Sequence, residues 1–195
     1  MLYGNLVGTL IYLTTTRPDL AYAVSVLSQY MSQPHENHWV AAKEVLSYLQ
    51  GTLDFSILYF DSFNVRLAGS TDFDWARNLD DRRSITRYAL SFGSGVISWG
   101  SKKQHIVTLS LAKAKYQAMC AAVCEAVWLR RLLQDAREEK TEAMVIKCDN
   151  QISIKISYNL RFHKNTKHIE TQFHFVRKKV QSKKYVLNTI IHVIM

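Results

Sequence analysis

The stretch Arg66–Ser84, RLAGSTDFDWARNLDDRRS, decides the fold because it predicts a strand that ends in carboxylates. Apolar and polar positions alternate over residues 65–70, which is typical of a strand of mixed burial. Asp72 and Asp74 follow at positions i and i+2, and such positions point to the same side of a strand. Carboxylate oxygens at a strand end suit Mg²⁺, so the stretch predicts a metal site if the strand continues that far. The alternative for an isolated Asp-x-Asp is a solvated polar turn.

The composition indicates one ordinary domain, or one domain plus a fragment, with a basic surface. The chain has 195 residues, 48% of them hydrophobic, and a formal net charge of +9. A basic chain of this size suggests an anionic partner, most often nucleic acid. A basic protein without such a partner is the alternative, and charge alone does not decide between the two.

The cysteines and apolar runs predict the compartment. The chain has three cysteines, Cys120, Cys124 and Cys148, and a disulfide framework usually has a larger and even number. This favours a reducing compartment. No apolar run reaches membrane-spanning length, and the first residues lack the basic start of a signal peptide. We therefore expect an intracellular protein, in the cytoplasm or nucleus, that is not secreted and has no membrane contact.

Periodicity predicts a helical hairpin followed by an α/β unit. Residues 1–15 show no strong period, whereas Pro18 opens a helix and a second helix covers about 37–50. The later pattern comprises extended runs at 55–60, 65–70, 84–92, 96–101, 144–148 and 185–195, and helices at about 110–139, from 151, and at about 166–181. The closely spaced strands at 65–101 indicate an antiparallel meander, and the whole order indicates a mixed sheet with helices on its faces.

Two acids lie at the ends of strands that are distant in sequence. Asp72 ends the first strand of the meander, and Asp149 follows the strand 144–148. If those two strands are neighbours, their carboxylates meet at one edge of the sheet. Clusters of this kind hold the paired metal ions, about 4 Å apart, that are used in phosphoryl transfer.

Several stretches resemble the C-terminal part of the Pol polyprotein of copia-type (Ty/copia) retrotransposons, especially those of plants. They cover nearly all of residues 3–180 in the family's order. These stretches are LVGTLIYLTTTRPDLAYAVSVLSQYM, HWVAAKEVLSYLQGT, STDFDWARNLDDRRS, GVISWGSKKQ, AVWLRRLL, CDNQISI and HKNTKHIETQFHFVR.

The resemblance implies a reverse transcriptase tail and a ribonuclease H domain. Residues 1–55 are similar to the helical end of the reverse transcriptase region, and residues 64–190 to the ribonuclease H domain. The implied fold class is α/β, a ribonuclease H-like mixed five-stranded sheet flanked by helices and preceded by a helical hairpin. The implied activity is Mg²⁺-dependent hydrolysis of the RNA strand of RNA–DNA hybrids, with Asp72 and Asp149 as ligands and Asp74 as a lesser candidate.

The chain departs from the family pattern at the expected catalytic acids. The family reads SSAEAEY where this chain has Ser110 to Tyr116, so Lys115 occupies the position of the catalytic Glu. The segment that carries the family's fourth acid is missing from the tail. The ammonium of Lys115 would place a positive charge near the expected metal ions. A contact between two unit charges at about 4 Å is worth roughly 4 kcal/mol at an effective dielectric constant near 20, and here the contact would be repulsive. We therefore expect impaired catalysis, with a non-catalytic remnant that binds hybrids as the alternative.

A further departure concerns glycine. The family usually has Gly where Arg77 and Arg87 stand, which predicts a strained or displaced backbone if a positive φ or a close approach was needed there.

A basic run near the C-terminus predicts contact with the phosphates of a hybrid. Recognition would use groove shape and 2′-OH groups, and it would weaken steeply with added salt. A solvated helical face is the alternative, and a structural or surface role is favoured for the histidine in this run. The run comprises Arg161, Lys164, Lys167, Arg177, Lys178, Lys179, Lys183 and Lys184, and the candidate contacts within it are Arg161, Lys164, Lys167, His168, Arg177 and Lys178.

A zinc site is a weaker alternative. Cys120 and Cys124 are four residues apart on a predicted helix, and His168 and His174 come later. The Cys-x-x-Cys spacing of a zinc knuckle is absent, so buried helix thiols are favoured. Nothing in the sequence indicates a cellular role outside the transposon.

Overall fold

The computed structural model describes residues 2–60, 65–74, 83–104, 111–136, 142–158 and 167–189. A helical segment comes first and an α/β segment follows. The helical segment contains α1 (Leu2–Leu13), a 3₁₀ turn (Pro18–Leu20), α2 (Ala21–Ser28) and α3 (Glu36–Gln50). The α/β segment contains β1 (Leu67–Asp74), β2 (Ile85–Phe92), β3 (Gly95–Lys103), α4 (Leu111–Asp135), β4 (Met144–Cys148), α5 (Gln151–Tyr158), α6 (Lys167–Gln181) and β5 (Tyr185–Thr189).

The five strands form one mixed sheet in the order β3-β2-β1-β4-β5. β2 pairs antiparallel with both β1 and β3, while β4 pairs parallel with β1 and β5 pairs parallel with β4. Gly93 turns the chain between β2 and β3 with a φ of 63°, a conformation that glycine adopts without steric cost. The predicted meander and mixed sheet are therefore confirmed.

The main core lies between the sheet and α4, with α6 and β5 at its border. Leu90, Tyr116, Met119, Ile146 and Val176 are fully buried there. The small residues in the middle of α4, which include Ala118, Ala122 and Ala126, are also buried, so the helix can approach its neighbours closely. Among the described helices, none is both long and apolar enough to cross a membrane.

The helical segment has a second core of its own. Val7 and Leu10 of α1 pack with Val24 of α2 and with Ala42 of α3. The sequence pattern predicts α3 well, but it does not predict α1. The reason is that exposed apolar residues, such as Tyr12 at 77% exposure, obscure the buried stripe of α1.

Side chains join the helical segment to the sheet. The indole Nε1 of Trp99 in β3 donates a hydrogen bond of 2.7 Å to the carbonyl oxygen of Thr14. Arg17 braces the helices by donating to the carbonyl oxygen of Thr52 at 3.0 Å and by pairing with Asp19 at 2.8 Å. The hairpin thus packs against β3, while the division into units 1–55 and 64–190 stays a prediction.

The extended run at 55–60 forms no ladder with the described strands, so its interpretation as a strand was wrong. The hydroxyl of Tyr59 instead donates to the carbonyl oxygen of Val96 at 2.7 Å, and the Phe60 amide donates to Ser94 Oγ at 2.8 Å. Strand propensity reflects packing on a sheet, and this run is held through individual contacts. A Cβ on Gly95 would lie 2.2 Å from the Tyr59 ring, so this contact requires glycine.

Candidate active site

The sheet brings Asp72 and Asp149 to one edge. β1 and β4 are parallel neighbours, and Thr71 of β1 pairs with Cys148 of β4. Asp72 directly follows Thr71 and Asp149 directly follows Cys148, so the two acids lie side by side. β1 also continues through Asp74, as a site on this strand requires. The side chain of Asp74 lies outside the described residues, so its place in the site stays a prediction.

Lys115 reaches this edge from the second turn of α4. Its Nζ contacts Oδ2 of Asp149, and the side chains are 17% and 25% exposed respectively. The start of α4 is fixed by Gln104, whose buried Nε2 donates to Thr86 Oγ1 at 3.0 Å and to the Ala114 carbonyl at 2.9 Å. If Lys115 takes the position of the family's catalytic Glu, as the resemblance implies, a cation stands beside Asp149 where the family has an acid.

Arg87 pairs with the other acid. It lies opposite Asp72 in the β1–β2 register, and its Nη2 is 2.8 Å from Asp72 Oδ2. Its guanidinium carbon also lies 4.9 Å from the centroid of the Tyr22 ring, which suits a cation–π contact. The only non-glycine residue with positive φ in the described chain is Lys183, so Arg87 does not adopt the positive φ that would favour glycine. The other expected reason for glycine at this position, a close approach, stays a prediction. Arg77 lies outside the described residues.

The corner after β4 positions Asp149. Asn150 caps α5, because its Oδ1 accepts hydrogen bonds from the amides of Ile152 at 2.7 Å and Ser153 at 3.0 Å. Cys148 is 1% exposed, and burial raises the pKa of its thiol. Asn before a helix is a recognisable cap signal, and the sequence analysis did not use it.

The described donors do not fit the Mg²⁺ site that the resemblance implies. Each of the two carboxylates already faces a cation of the same chain. No group of three or more His, Cys, Asp or Glu side chains suited to a metal occurs among the residues that the structure describes. The catalytic roles of Asp72, Asp149 and Lys115 stay predictions, as does Mg²⁺ binding itself.

The candidate hybrid contacts differ in what the structure describes. Arg161 and Lys164 lie outside the described residues, as do the side chains of Lys167 and His168 on α6. Arg177 is only 6% exposed, whereas Lys178 is exposed. Lys178 is therefore the one candidate whose described side chain is open to a ligand, and contact with a hybrid stays a prediction for the whole group.

The thiols on α4 form a pair and show no zinc site. A hydrogen bond from Cys120 lowers the pKa of Cys124 to about 7, and the same bond raises the pKa of Cys120. Cys120 is buried and Cys124 is exposed. No third ligand joins them among the described residues, and the side chain of His168 lies outside that set.

Comparison with known proteins identifies the family. The retrovirus-related Pol polyprotein from transposon TNT 1-94 of Nicotiana tabacum is 41% identical over 91% of this chain and 13% of that protein. The one from transposon RE2 of Arabidopsis thaliana is 41% identical over 92% of this chain and 12% of that protein. The chain belongs to the copia-type retrotransposon Pol polyproteins. It thus spans about an eighth of the length of these relatives.

Further comparisons cover family models, another similar protein and solved structures. No protein-family model matches the chain. The secreted RxLR effector protein 161 of Plasmopara viticola is 44% identical over 65% of this chain and 90% of that protein. The structure of a foamy viral protease-reverse transcriptase with double-stranded DNA covers 98% of this chain and 32% of that chain, at 9% identity and a TM-score of 0.55. An RNase H1 solved with an RNA/DNA hybrid covers 65% of this chain and 86% of that one, at 10% identity and a TM-score of 0.46.

The sheet can now be assigned within the Pol polyprotein. Three antiparallel strands followed by two parallel ones, with α4 packed on the sheet, form an RNase H-like domain. The chain is therefore a Pol polyprotein segment that carries an RNase H-like domain, in agreement with the fold class that the sequence predicts.

Proposed function

We propose that this RNase H-like domain binds nucleic acid, in particular an RNA–DNA hybrid, and that its metal-dependent cleavage of the RNA strand is lost or strongly reduced. The observation that carries the proposal is the pairing of both remaining acids with internal cations, Asp149 with Lys115 and Asp72 with Arg87. The ancestral activity would be hydrolysis of the RNA strand with Mg²⁺ at these acids.

The charge argument disfavours a metal at Asp149. A divalent ion at about 4 Å from the ammonium of Lys115 would be repelled by about 8 kcal/mol at an effective dielectric constant of 20, before relaxation. The flexible stem of lysine could carry the charge away, but the catalytic Glu of the family would still be missing. The loss of one metal ligand and the gain of one positive charge both weaken metal binding at Asp149.

The nucleic-acid part of the proposal rests on charge and on the family. The chain carries 25 Lys and Arg against 16 Asp and Glu, and Lys178 is exposed on α6. Binding driven by phosphate contacts weakens as counterions are added, so a steep fall of affinity with salt is expected. A flat salt response would count against phosphate contacts.

The test measures cleavage and binding of one labelled RNA–DNA hybrid in parallel. Cleavage is measured with Mg²⁺ or Mn²⁺ for the unaltered chain, for Lys115→Glu and for Asp72→Asn, and binding is measured by fluorescence anisotropy in a chelator. We expect binding without cleavage for the unaltered chain, and any regained cleavage only in Lys115→Glu.

Two results would contradict the proposal. Cleavage by the unaltered chain that Asp72→Asn abolishes would show that another group completes the site and that the enzyme is active. Absence of hybrid binding by a chain whose circular dichroism shows it to be folded would remove the binding function.

A further inference from the structure

A basic pocket lies at the end of the sheet opposite the acid pair. Its volume is about 220 Å³, and it lies between the C-terminal parts of α4 and α6 and the start of β5. Five cationic side chains line it, namely Arg130, Arg131, Lys178, Lys179 and Lys184. None of its described lining residues is acidic.

The pocket is well separated from the acids. β4 and β5 run parallel, and Met144 pairs with Tyr185 at the end where the pocket lies, while Cys148 marks the other end. On α4, Arg130 comes 15 positions after Lys115, which corresponds to about 22 Å at 1.5 Å per residue. A ligand of the pocket therefore does not belong to the site of Asp72 and Asp149.

One cation of the pocket is held in place. The Nη1 of Arg130 donates to the carbonyl oxygen of Lys184 at 2.9 Å, and its guanidinium carbon lies 5.8 Å from the centroid of the Tyr185 ring. Arg130 is only 7% exposed, so it forms a fixed charged wall rather than a solvated side chain. Because the Arg130 side chain is already held in place, less side-chain entropy is lost when an anion binds.

The cations at the rim are open to solvent. Arg131, Lys178 and Lys184 are exposed, and none of them forms an ion pair with another described residue. Lys178 and Lys179 also lie in the last turn of α6, where they offset the negative end of the helix dipole. That role accounts for the positions of two of the five charges, but not for those of the exposed cations Arg131 and Lys184.

The backbone at the pocket is strained. Lys183, between the lining residues Ser182 and Lys184, has a φ of 57°, in the left-handed region that non-glycine residues rarely adopt. This turn brings Lys184 and the hydroxyl of Ser182 to the same pocket. Such a residue is common directly after a helix, and here it sets the direction in which the chain leaves α6 toward β5.

We propose that the basic pocket binds a phosphate group of a nucleic-acid backbone, as a second contact point remote from the acid pair. The proposal rests on the nucleic-acid binding proposed above. The pocket holds fixed and mobile cations, which suit phosphate oxygens, and its one described aromatic residue, Tyr185, is 4% exposed and offers no face for a base. The contact would therefore carry no sequence preference.

The test compares two triple variants with the same loss of charge. The pocket variant is Arg131→Gln, Lys178→Gln and Lys184→Gln, and the control variant is Lys43→Gln, Lys102→Gln and Lys155→Gln, three exposed lysines outside the pocket. Anisotropy of a labelled hybrid is measured in a chelator at several salt concentrations, and circular dichroism checks that both variants fold.

We expect the pocket variant to bind the hybrid at least tenfold more weakly than the unaltered chain at about 0.1 M salt. The slope of log K against log salt should fall by about 1 or more, since each lost phosphate contact removes about 0.9. The control variant should stay within twofold of the unaltered chain.

Other outcomes overturn the proposal and separate it from the proposed function. If the unaltered chain binds the hybrid and both variants bind equally well, the pocket has no role while the nucleic-acid function stands. If inorganic pyrophosphate binds at the pocket but no hybrid binds anywhere, the pocket serves a free phosphate and both proposals fail.

Discussion

At one end of the sheet each described carboxylate faces a cation of the same chain, whereas at the other end five cations line a pocket with no described acid. Asp72 and Asp149 pair with Arg87 and Lys115, whereas the pocket cations Arg131, Lys178 and Lys184 form no ion pair with another described residue. Charges that are neutralised within the chain have little attraction left for an external ion. The acid end is therefore less suited to a metal ion than the basic end is to a phosphate.

We expect β4 to join the two ends of the sheet in one cooperative unit. Truncating a buried side chain at the centre of β4 tests this. Ile146 in the middle of β4 is fully buried, so Ile146→Ala should lower the free energy of unfolding by about 2–5 kcal/mol. Urea denaturation followed by circular dichroism measures this. Ile152→Ala is the matched control, because Ile152 is 58% exposed and its truncation should cost little. Equal costs for the two variants would mean that β4 is not packed as described.

The two ion pairs should differ in strength because they differ in exposure. Asp149→Asn leaves the 17%-exposed Lys115 without its counter-charge and should cost about 1–3 kcal/mol of unfolding free energy. Asp72→Asn should cost at most about 1 kcal/mol, because Asp72 is 60% exposed and Arg87 keeps its contact with Tyr22. Thermal and urea denaturation of both variants measure the difference. A larger cost for Asp72→Asn would reverse the assignment of the tighter pair.

The sequence predicts much of this arrangement and misses the parts that depend on register. The order of strands predicts that Asp72 and Asp149 meet if their strands are neighbours, and the resemblance to the family implies that Lys115 takes the position of a catalytic Glu. The pairing of Arg87 with Asp72 depends on the cross-strand register of β1 and β2, which local periodicity does not determine. The basic run in the sequence includes Lys178, Lys179 and Lys184 of the pocket, but it does not predict that Arg130, 54 residues before Lys184, lies beside them.

The cap of α5 offers a smaller test of the acid end. Asn150→Ala removes the side-chain acceptor for two amides of the first turn and should cost about 1 kcal/mol of unfolding free energy. Asn150→Asp is the control, because a carboxylate accepts the same hydrogen bonds and should restore most of that stability. If both variants are equally unstable, the amide group of Asn150 has a role other than capping.

The strained turn at the basic end should respond in the opposite direction. Lys183→Gly relieves the left-handed conformation and should stabilise the protein by about 0.5–1 kcal/mol, after the entropic cost of glycine is included. Lys183→Ala removes the same charge without relieving the backbone, so it should leave the melting temperature nearly unchanged. Stabilisation by both variants would indicate charge repulsion in the pocket instead of backbone strain.

A calorimetric titration with Mn²⁺ tests most directly whether the internal cations keep a metal ion away from Asp72 and Asp149. It is carried out on the unaltered chain and on the double variant Lys115→Glu, Arg87→Gly. Our account predicts no binding by the unaltered chain at millimolar Mn²⁺, because Lys115 and Arg87 neutralise the two carboxylates. The double variant should bind Mn²⁺ and lose that binding on addition of Asp72→Asn. Binding by the unaltered chain that Asp72→Asn abolishes would contradict the account, since the acids would then accept a metal despite their internal cations.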